Sequence, residues 1–530
     1  MPDSAKHFLP SLAQFLFLVL FLHLSVNAGN QLLNDADTGF HIRAGEYMLE
    51  TRSIPRHDPF SVASSPLPWP THEWLSDVVM AVLHRAFGLT GVVLFFIFLI
   101  SLAHSILFGT MRVFNRNMVL DSIIIVMVIG SSQLHWLARP HIFSWLLLLL
   151  WYFLLDSHQY REKNVLYLLP AVMLLWVNLH GSFILGFILL AIYLASNFIR
   201  GNLAPGDGSA ECKEKAKRLL LATAVSLLVA LANPKGYHAF LFPFETVLNR
   251  FAMDNIQEWA SPDFHQPMIF KYLLLLMIAV IAVSGARLNL IELALILLFT
   301  NMSLYSRRYI PLFGIVVAPI LSKQGEYLVR QWDGKWKKIF MDRSHKFTAM
   351  DAFAKGYLWP AAAVALIAVF ASSGKIGFNF DEKIKPVAAV EFLKKERLKG
   401  PMFNSDEFGD YVIYGASSRF KVFFDGRTEI YGNERFREYL DVVQFKPGWE
   451  KILERHDIHM IFFNSDSALS RFLLSRKEWG LIFSDKVANI FLRDTSEQSD
   501  IIKKYSHVKP FIREEKKRFK NSENLVEEEH

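Results

Sequence analysis

Two aspartates, Asp35 and Asp37, share one polar stretch with the triplet His72-Glu73-Trp74, and that stretch separates the first two hydrophobic runs of the chain. A carboxylate within hydrogen-bond reach of an acceptor hydroxyl can take its proton as the oxygen attacks, so Asp35, Asp37 and Glu73 are candidates for a general base. The same three carboxylates could instead share Mg2+ or Mn2+, whose hard character suits oxygen ligands, although nothing in the spacing makes any cofactor certain. His41 and His57 add nitrogen donors that would admit zinc without requiring it. Each acid also has a plainer role. Asp37 can cap a helix, Asp58 can open the turn before Pro59, and Glu73 can sit favourably on the positive end of a helix dipole.

The elements that must carry these residues are mostly membrane helices. Of 530 residues, 52% are hydrophobic and 14% aromatic, and the mean hydropathy is +0.24, more apolar than an ordinary soluble chain. A bilayer core about 30 Å thick takes about 20 apolar residues per helix, and on that measure the sequence predicts about eleven segments. They lie near 8–28, 89–111, 119–137, 141–156, 165–180, 183–200, 217–233, 268–285, 288–305, 309–322 and 356–373. The first could also be a signal peptide, since Val26-Asn27-Ala28 suits cleavage.

Lys and Arg favour the inner side of a membrane, and they recur in alternate loops: Arg112 and Arg116, Arg161 and Lys163, Arg200 with Lys213 to Arg218, and a basic stretch from Lys323 to Lys355. The last also has the charge to meet anionic lipid. The Asp35 loop and the region after residue 373 then share the outer face. Cys212, the one cysteine, falls in an inner loop, so no internal disulfide can form. The formal charge of +7 is accounted for by these topology-setting residues, and no basic surface interleaved with aromatics speaks for nucleic acid.

Two amphipathic helices are expected in the first outer loop, 29–88. In one, Phe40, Ala44, Tyr47 and Met48 oppose Arg43, Glu46 and Glu50, with Asp37 or Thr38 as cap, and this helix should lie flat on the membrane. In the other, capped by Thr71, Trp74, Leu75, Val78, Val79, Val82 and Leu83 oppose Glu73, Asp77, His84 and Arg85. At other outer helix ends stand Arg139, His180, Lys235, Arg307 and Arg308, which could anchor loops or bind a lipid phosphate through charge-assisted hydrogen bonds. His104, Asn178 and Glu292, inside the helices, read as hydrogen-bonding groups of the bundle.

Asp35-Ala36-Asp37-Thr38-Gly39-Phe40-His41, the stretch from Ile54 to Ser61 and His72-Glu73-Trp74-Leu75 resemble the first outer loop of bacterial membrane proteins related to the GT-C superfamily of polyprenyl-phosphate-dependent glycosyltransferases. Ala138-Arg139-Pro140-His141, Trp176 to Ser182, Asn233-Pro234-Lys235-Gly236, Glu258-Trp259 with Ser261-Pro262, and Arg307-Arg308-Tyr309 are similar to the same group in order, so the resemblance runs along nearly the whole chain. It implies a GT-C-like α-helical polytopic fold in a bacterial inner membrane, a polyprenyl-phosphate sugar as donor, and a glycan, lipid or protein acceptor at the outer, periplasmic face.

After residue 373 the pattern becomes that of a small soluble α/β domain, 374–495. Short apolar runs at 401–403, 411–413, 421–424 and 459–463 read as strands, followed by strands near 481–484 and 488–493, with helices near 386–397, 433–444, 448–456 and 467–478. Phe424-Asp425-Gly426-Arg427 follows one strand and also resembles the family's C-terminal domain. Asp425 and Arg427 could form an ion pair there or contact a sugar. Residues 496–530, rich in charge, are expected to be a disordered tail.

These features point first to a membrane glycosyltransferase with its base in the first outer loop. A non-catalytic scaffold or lipid-glycan handling protein, with a partner-binding C-terminal domain, is the second reading. Few ionisable groups deep in the predicted helices and no inverted repeat weigh against a transporter.

Overall fold

A computed structural model describes residues 8–62, 67–69, 71–114, 117–203, 207–332, 334–354, 356–396, 398 and 400–511. The chain forms two compact units, one of Met1–Arg56 with Pro70–Asn379 and one of His57–Trp69 with Phe380–His530. The second unit thus takes in a piece of the first outer loop.

The first unit is helical. Each of the eleven predicted segments falls on a helix. Among the described residues six are fit by length and composition to cross a membrane: Leu12–Leu33, Trp74–Arg112, Met118–His135, His141–Arg161, Gly181–Asn202 and Arg307–Gln331. Leu166–Leu179, Ile269–Val283, Leu290–Tyr305 and Leu358–Ser372 are shorter apolar helices, and the segment near 217–233 is the second half of Asp207–Ala230. Polar caps start several of them: Ser11 and Gln14 form a capping box, as do Asn289 and Glu292, and Asn117 accepts from the amide of Leu120. The interior groups expected to hydrogen-bond do so. His104 meets Ser132 at 3.0 Å, Asn178 accepts from Trp74 at 2.7 Å, and Glu292 holds Lys323 at 2.6 Å.

The two amphipathic helices of the first loop pack on each other. The first is Asp37–Thr51; the second begins Trp74–Phe114 and bends at Gly88, whose φ of 63° an L side chain would resist. Gly45 lets them approach, because a Cβ there would lie 2.0 Å from the carbonyl oxygen of Asp77. Part of the polar side of the second helix meets its neighbour. His84 pairs with Glu46 at 3.0 Å and Arg85 with Glu50 at 3.5 Å, while Asp77 is buried against His41. Neither expected cap is used. Ala36 is the N-cap of the first helix, with Asp37 and Thr38 already inside it, and Thr71 Oγ1 caps nothing among the described residues.

The second unit carries a four-stranded sheet of order β1-β2-β4-β3, where β1 is Met402–Asn404, β2 Met460–Asn464, β3 Trp479–Ser484 and β4 Ala488–Arg493. β1 and β2 are parallel, with Phe403 opposite Ile461, and the other pairs are antiparallel. The run at 411–413 is helical, within Asp406–Ala416, because Phe408, Tyr411 and Val412 bury one face at helical spacing behind Asp406 and Glu407. The run at 421–424 forms one bridge, Val422 to Ser61, and no strand. Part of the expected disordered tail is ordered: Ser499–Lys504 is a helix, anchored by Lys504 to Glu396 at 2.6 Å and by an edge-on contact of Tyr505 with Phe392. The run Arg513 to Arg518 lies outside the described residues.

Candidate functional site

In the first unit Arg139 gathers acids from two distant parts of the chain. It follows the helix end at His135 and precedes Pro140, which opens His141–Arg161. Two bonds hold this corner against the first loop: the amide of Ala138 donates to the carbonyl of Leu32 at 2.9 Å, and Thr38 Oγ1 donates to the carbonyl of Ala138 at 3.1 Å. The guanidinium, 11% exposed, then lies 2.5 Å from Asp35, 2.5 Å from Asp37 and 2.7 Å from Glu258. Asp35 also accepts from the amide of Asp37 at 3.1 Å, which fixes the turn between the two acids. Burial opposes the charge on Arg139, but Asp37, Glu258 and Asp35 outweigh it and raise its pKa well above the ordinary value. Burial likewise opposes ionisation of Glu258, and Arg139 and Arg308 overcome it, so this carboxyl lies well below the usual range.

Arg308 stands 3.9 Å from Glu258 with its guanidinium 4.6 Å above Trp259, whereas Arg307 donates to the carbonyl of Gln257 at 2.5 Å. Of the two roles open to Arg139, anchoring a loop or binding a lipid phosphate, its contacts here are with three carboxylates. Lys235 is not brought into this group: it lies near the Asn233 turn, half-buried, and burial lowers its pKa.

Glu73 sits in a ring of histidines. His180 Nε2 is 3.3 Å from it, His72 Nε2 3.4 Å and His41 Nε2 3.8 Å, and His41 Nδ1 is 2.7 Å from Asp77. The amide of Ser182 donates to His180 Nδ1 at 3.2 Å, so that nitrogen is an acceptor and the ring proton lies on Nε2, aimed at Glu73. Burial pushes His180 down to about 4 despite Glu73, which keeps the ring neutral near pH 7. Glu73 is opposed by burial, yet His72, His180 and His41 hold it well below the usual carboxylate range, so it is ionised.

His141 faces elsewhere, 3.0 Å from the carbonyl of His135. Among the described residues no three His, Cys, Asp or Glu stand where one metal ion could be held. Asp35 and Asp37 turn to Arg139 and Glu73 to its imidazoles, so as placed these three carboxylates do not fit a shared cation.

The remaining candidates belong to the second unit. Arg427 bonds Asp58 at 2.7 Å and Asp425 at 2.6 and 2.9 Å, with both carboxylates fully covered and the Phe60 and Trp69 rings 5.4 and 5.3 Å from the guanidinium. Asp58 accepts from the amides of Phe60 and Ser61, at 3.1 and 3.0 Å, and Tyr431 donates to Asp425. Burial works against Asp58, but Arg427 and Ser61 hold its pKa below the usual value. The set fastens 57–62 to the helix Thr428–Val443. His57 is exposed beside it and forms a backbone bridge with Pro68.

Sequence reasoning passed over Glu258 as an acid of the site, and also His72 and Asp77. Their positions beside candidates, in Glu258-Trp259 and His72-Glu73, were the available signal.

Comparison of folds finds the oligosaccharyltransferase of Archaeoglobus fulgidus in its apo form, with a TM-score of 0.52 at 11% identity over 92% of this chain and 74% of that one. The oligosaccharyltransferase AglB of Archaeoglobus fulgidus, in complex with an inhibitory peptide and a dolichol-phosphate, matches with a TM-score of 0.52 at 10% identity, over 89% of this chain and 72% of that one. The likeness is one of fold. No family model and no curated protein matches the sequence.

Proposed function

We propose that the protein is an integral membrane glycosyltransferase that moves a sugar from a polyprenyl-phosphate donor to a glycan, lipid or protein acceptor at the outer face. The observation that carries this reading is the convergence of Asp35, Asp37 and Glu258 on the guanidinium of Arg139. An oligosaccharyltransferase-like fold that holds a lipid phosphate and a peptide in its archaeal counterpart is consistent with it.

Guanidinium binds phosphate oxygens bidentately, as it does carboxylates, so a donor phosphate entering this site would compete with the acids for Arg139 and Arg308. An aspartate released in the exchange is free to accept a proton. The acceptor oxygen then bonds to the anomeric carbon and its proton passes to Asp37 or Asp35. The bond from that carbon to the phosphate oxygen breaks, with both electrons leaving on the lipid phosphate. Arg139 and Arg308 stabilise the charge that develops there. One displacement of this kind inverts the anomeric centre.

The test is transfer or release of sugar from radiolabelled polyprenyl-phosphate sugars by purified protein. Asp35→Asn/Asp37→Asn should lose at least about a hundredfold in rate, the range a positioned base supplies, with membrane insertion unchanged. Equal turnover by the double variant would remove both aspartates from the reaction. The non-catalytic reading draws on one observation, that the acids and Arg139 already satisfy one another. No turnover from any donor, in the presence of candidate acceptors, would favour it.

A further inference from the structure

A polar cavity of about 280 Å³ opens in the first unit far from Arg139, between the helices His141–Arg161, Leu290–Tyr305 and Ile310–Gln331. On the first of these, His141 and Asp156 are separated by 15 residues, about 22 Å of helix, so the cavity and the Arg139 site lie at opposite ends. Tyr152, Asp156 and Tyr160 recur every four residues along its wall, and Pro319, Lys323, Tyr327 and Arg330 form a matching stripe on Ile310–Gln331. Exposure rises outward: Tyr152 is 5% and Asp156 6% exposed, against 44% and 43% for Tyr160 and Tyr327. The sequence reading ended this span at residue 156; the helix runs to Arg161 and carries Asp156 inside the bundle.

Charge decides what such a cavity would take. Its lining holds three carboxylates, Asp156, Glu292 and Glu326, and two cations, Lys323 and Arg330. Lys323 pairs with Glu292 at 2.6 Å and Arg330 with Glu326 at 2.5 Å. That leaves Asp156, the acid of the three that is in no ion pair among the described residues. Its hydrogen-bond partners are neutral, the hydroxyls of Tyr193 and Tyr152. A carboxylate in a membrane span is costly unless it meets a partner or a pathway. The volume, room for several waters, is more than a bare ion needs. Tyrosine rings beside an acid are the surroundings in which an organic cation is held.

We propose that this cavity binds a primary ammonium group, presented either on an aminophospholipid head or as a free amine, with Asp156 as its counter-charge and Tyr152, Tyr160 and Tyr327 around it. Lys323 and Arg330 stand further out, where the phosphodiester of a lipid head would follow. The site is independent of the transferase reading.

Native mass spectrometry of the full chain in detergent with equimolar phosphatidylethanolamine, phosphatidylcholine and phosphatidylglycerol tests it. The wild type should retain one phosphatidylethanolamine at least tenfold over phosphatidylcholine, and Asp156→Asn should abolish that preference. Tyr327→Leu, at an exposed position that folding tolerates, should weaken it about threefold and carries the test if Asp156→Asn does not fold. Displacement of the lipid by millimolar ethanolamine would identify the ammonium alone as sufficient, and resistance to displacement would assign the site to the lipid. Equal retention of the three lipids, or a preference unchanged in both variants, overturns the proposal.

Discussion

At the scale of single residues, Arg139 is the group on which the candidate site depends. Removing one partner from a buried ion-pair set leaves the others desolvated and uncompensated, which costs about 3–5 kcal/mol. Arg139→Ala should therefore lower the thermal midpoint of the detergent-solubilised protein sharply, because three acids face the gap. Arg139→Lys should recover part of that stability and little activity, since an ammonium cannot bridge Asp35, Asp37 and a phosphate as a guanidinium does. If lysine restored full turnover, the phosphate role would fall. His180 gives a pH signature. Its folded pKa of about 4 lies below the unfolded value near 6.5, so between those values the unfolded chain binds more protons. Stability then rises with pH across this window, is complete above about 6.5 and is lost as pH falls toward 4, by at most about 3 kcal/mol. His180→Gln should flatten that limb in midpoints measured from pH 4 to 7.5, and an unchanged slope would show that His180 is not the titrating group. Little of this pairing was legible in the sequence. Asp35 and Arg139 are about a hundred residues apart, and nothing in either local pattern says which cation meets which acid; only their shared expectation of a helix end did.

At the scale of elements, periodicity located the helices well and failed where tertiary contacts redirect a face. Periodicity marks Glu73, Asp77, His84 and Arg85 as the polar face of the second amphipathic helix without naming what that face meets. Its actual partner is the complementary row on Asp37–Thr51. That contact requires Gly45: a methyl there would meet the Asp77 carbonyl, so Gly45→Ala should separate the helices and destabilise by about 1–3 kcal/mol, the usual cost of overpacking. A midpoint equal to wild type would mean the two helices are free to shift. The runs at 411–413 and 459–463 look alike in composition, yet one is helix and the other β2. Phe408 and the acids of its first turn decide the former, and these lie outside the apolar run itself. In the second unit Arg427 fastens 57–62 through Asp58, a link between residues about 370 apart that pattern reading cannot supply. Arg427→Ala should raise thermolysin cleavage within 57–69 at least tenfold, while an unaltered digestion rate would mean that the backbone pairing of Ser61 with Val422 suffices alone.

At the scale of the whole molecule, the sequence foretold a helical membrane protein followed by a smaller mixed unit, because long apolar runs leave few other folds open. What it did not foretell is the division of polar groups between two ends of the bundle, acids around Arg139 at one and the Asp156 cavity at the other, since Asp156 lies at a segment boundary where hydropathy is least decisive. Which end faces which compartment is a matter of orientation, and the orientation proposed from the basic loops puts Arg161, Lys213 and Lys323 inside. The chain carries its own reporter. Cys212 is its one cysteine, half-buried on the helix Asp207–Ala230 and near Gly201. A membrane-impermeant maleimide should leave it unmodified in sealed, right-side-out vesicles and label it in inverted ones, with a difference of at least tenfold at matched protein. Labelling from the outside would reverse the whole assignment: Asp35, Arg139 and Glu258 would then face the cytoplasm, and the donor would have to be a sugar carried on the inner leaflet. Equal labelling from both sides would indicate leaky vesicles, which an exposed cysteine introduced at His57 would identify by its own accessibility.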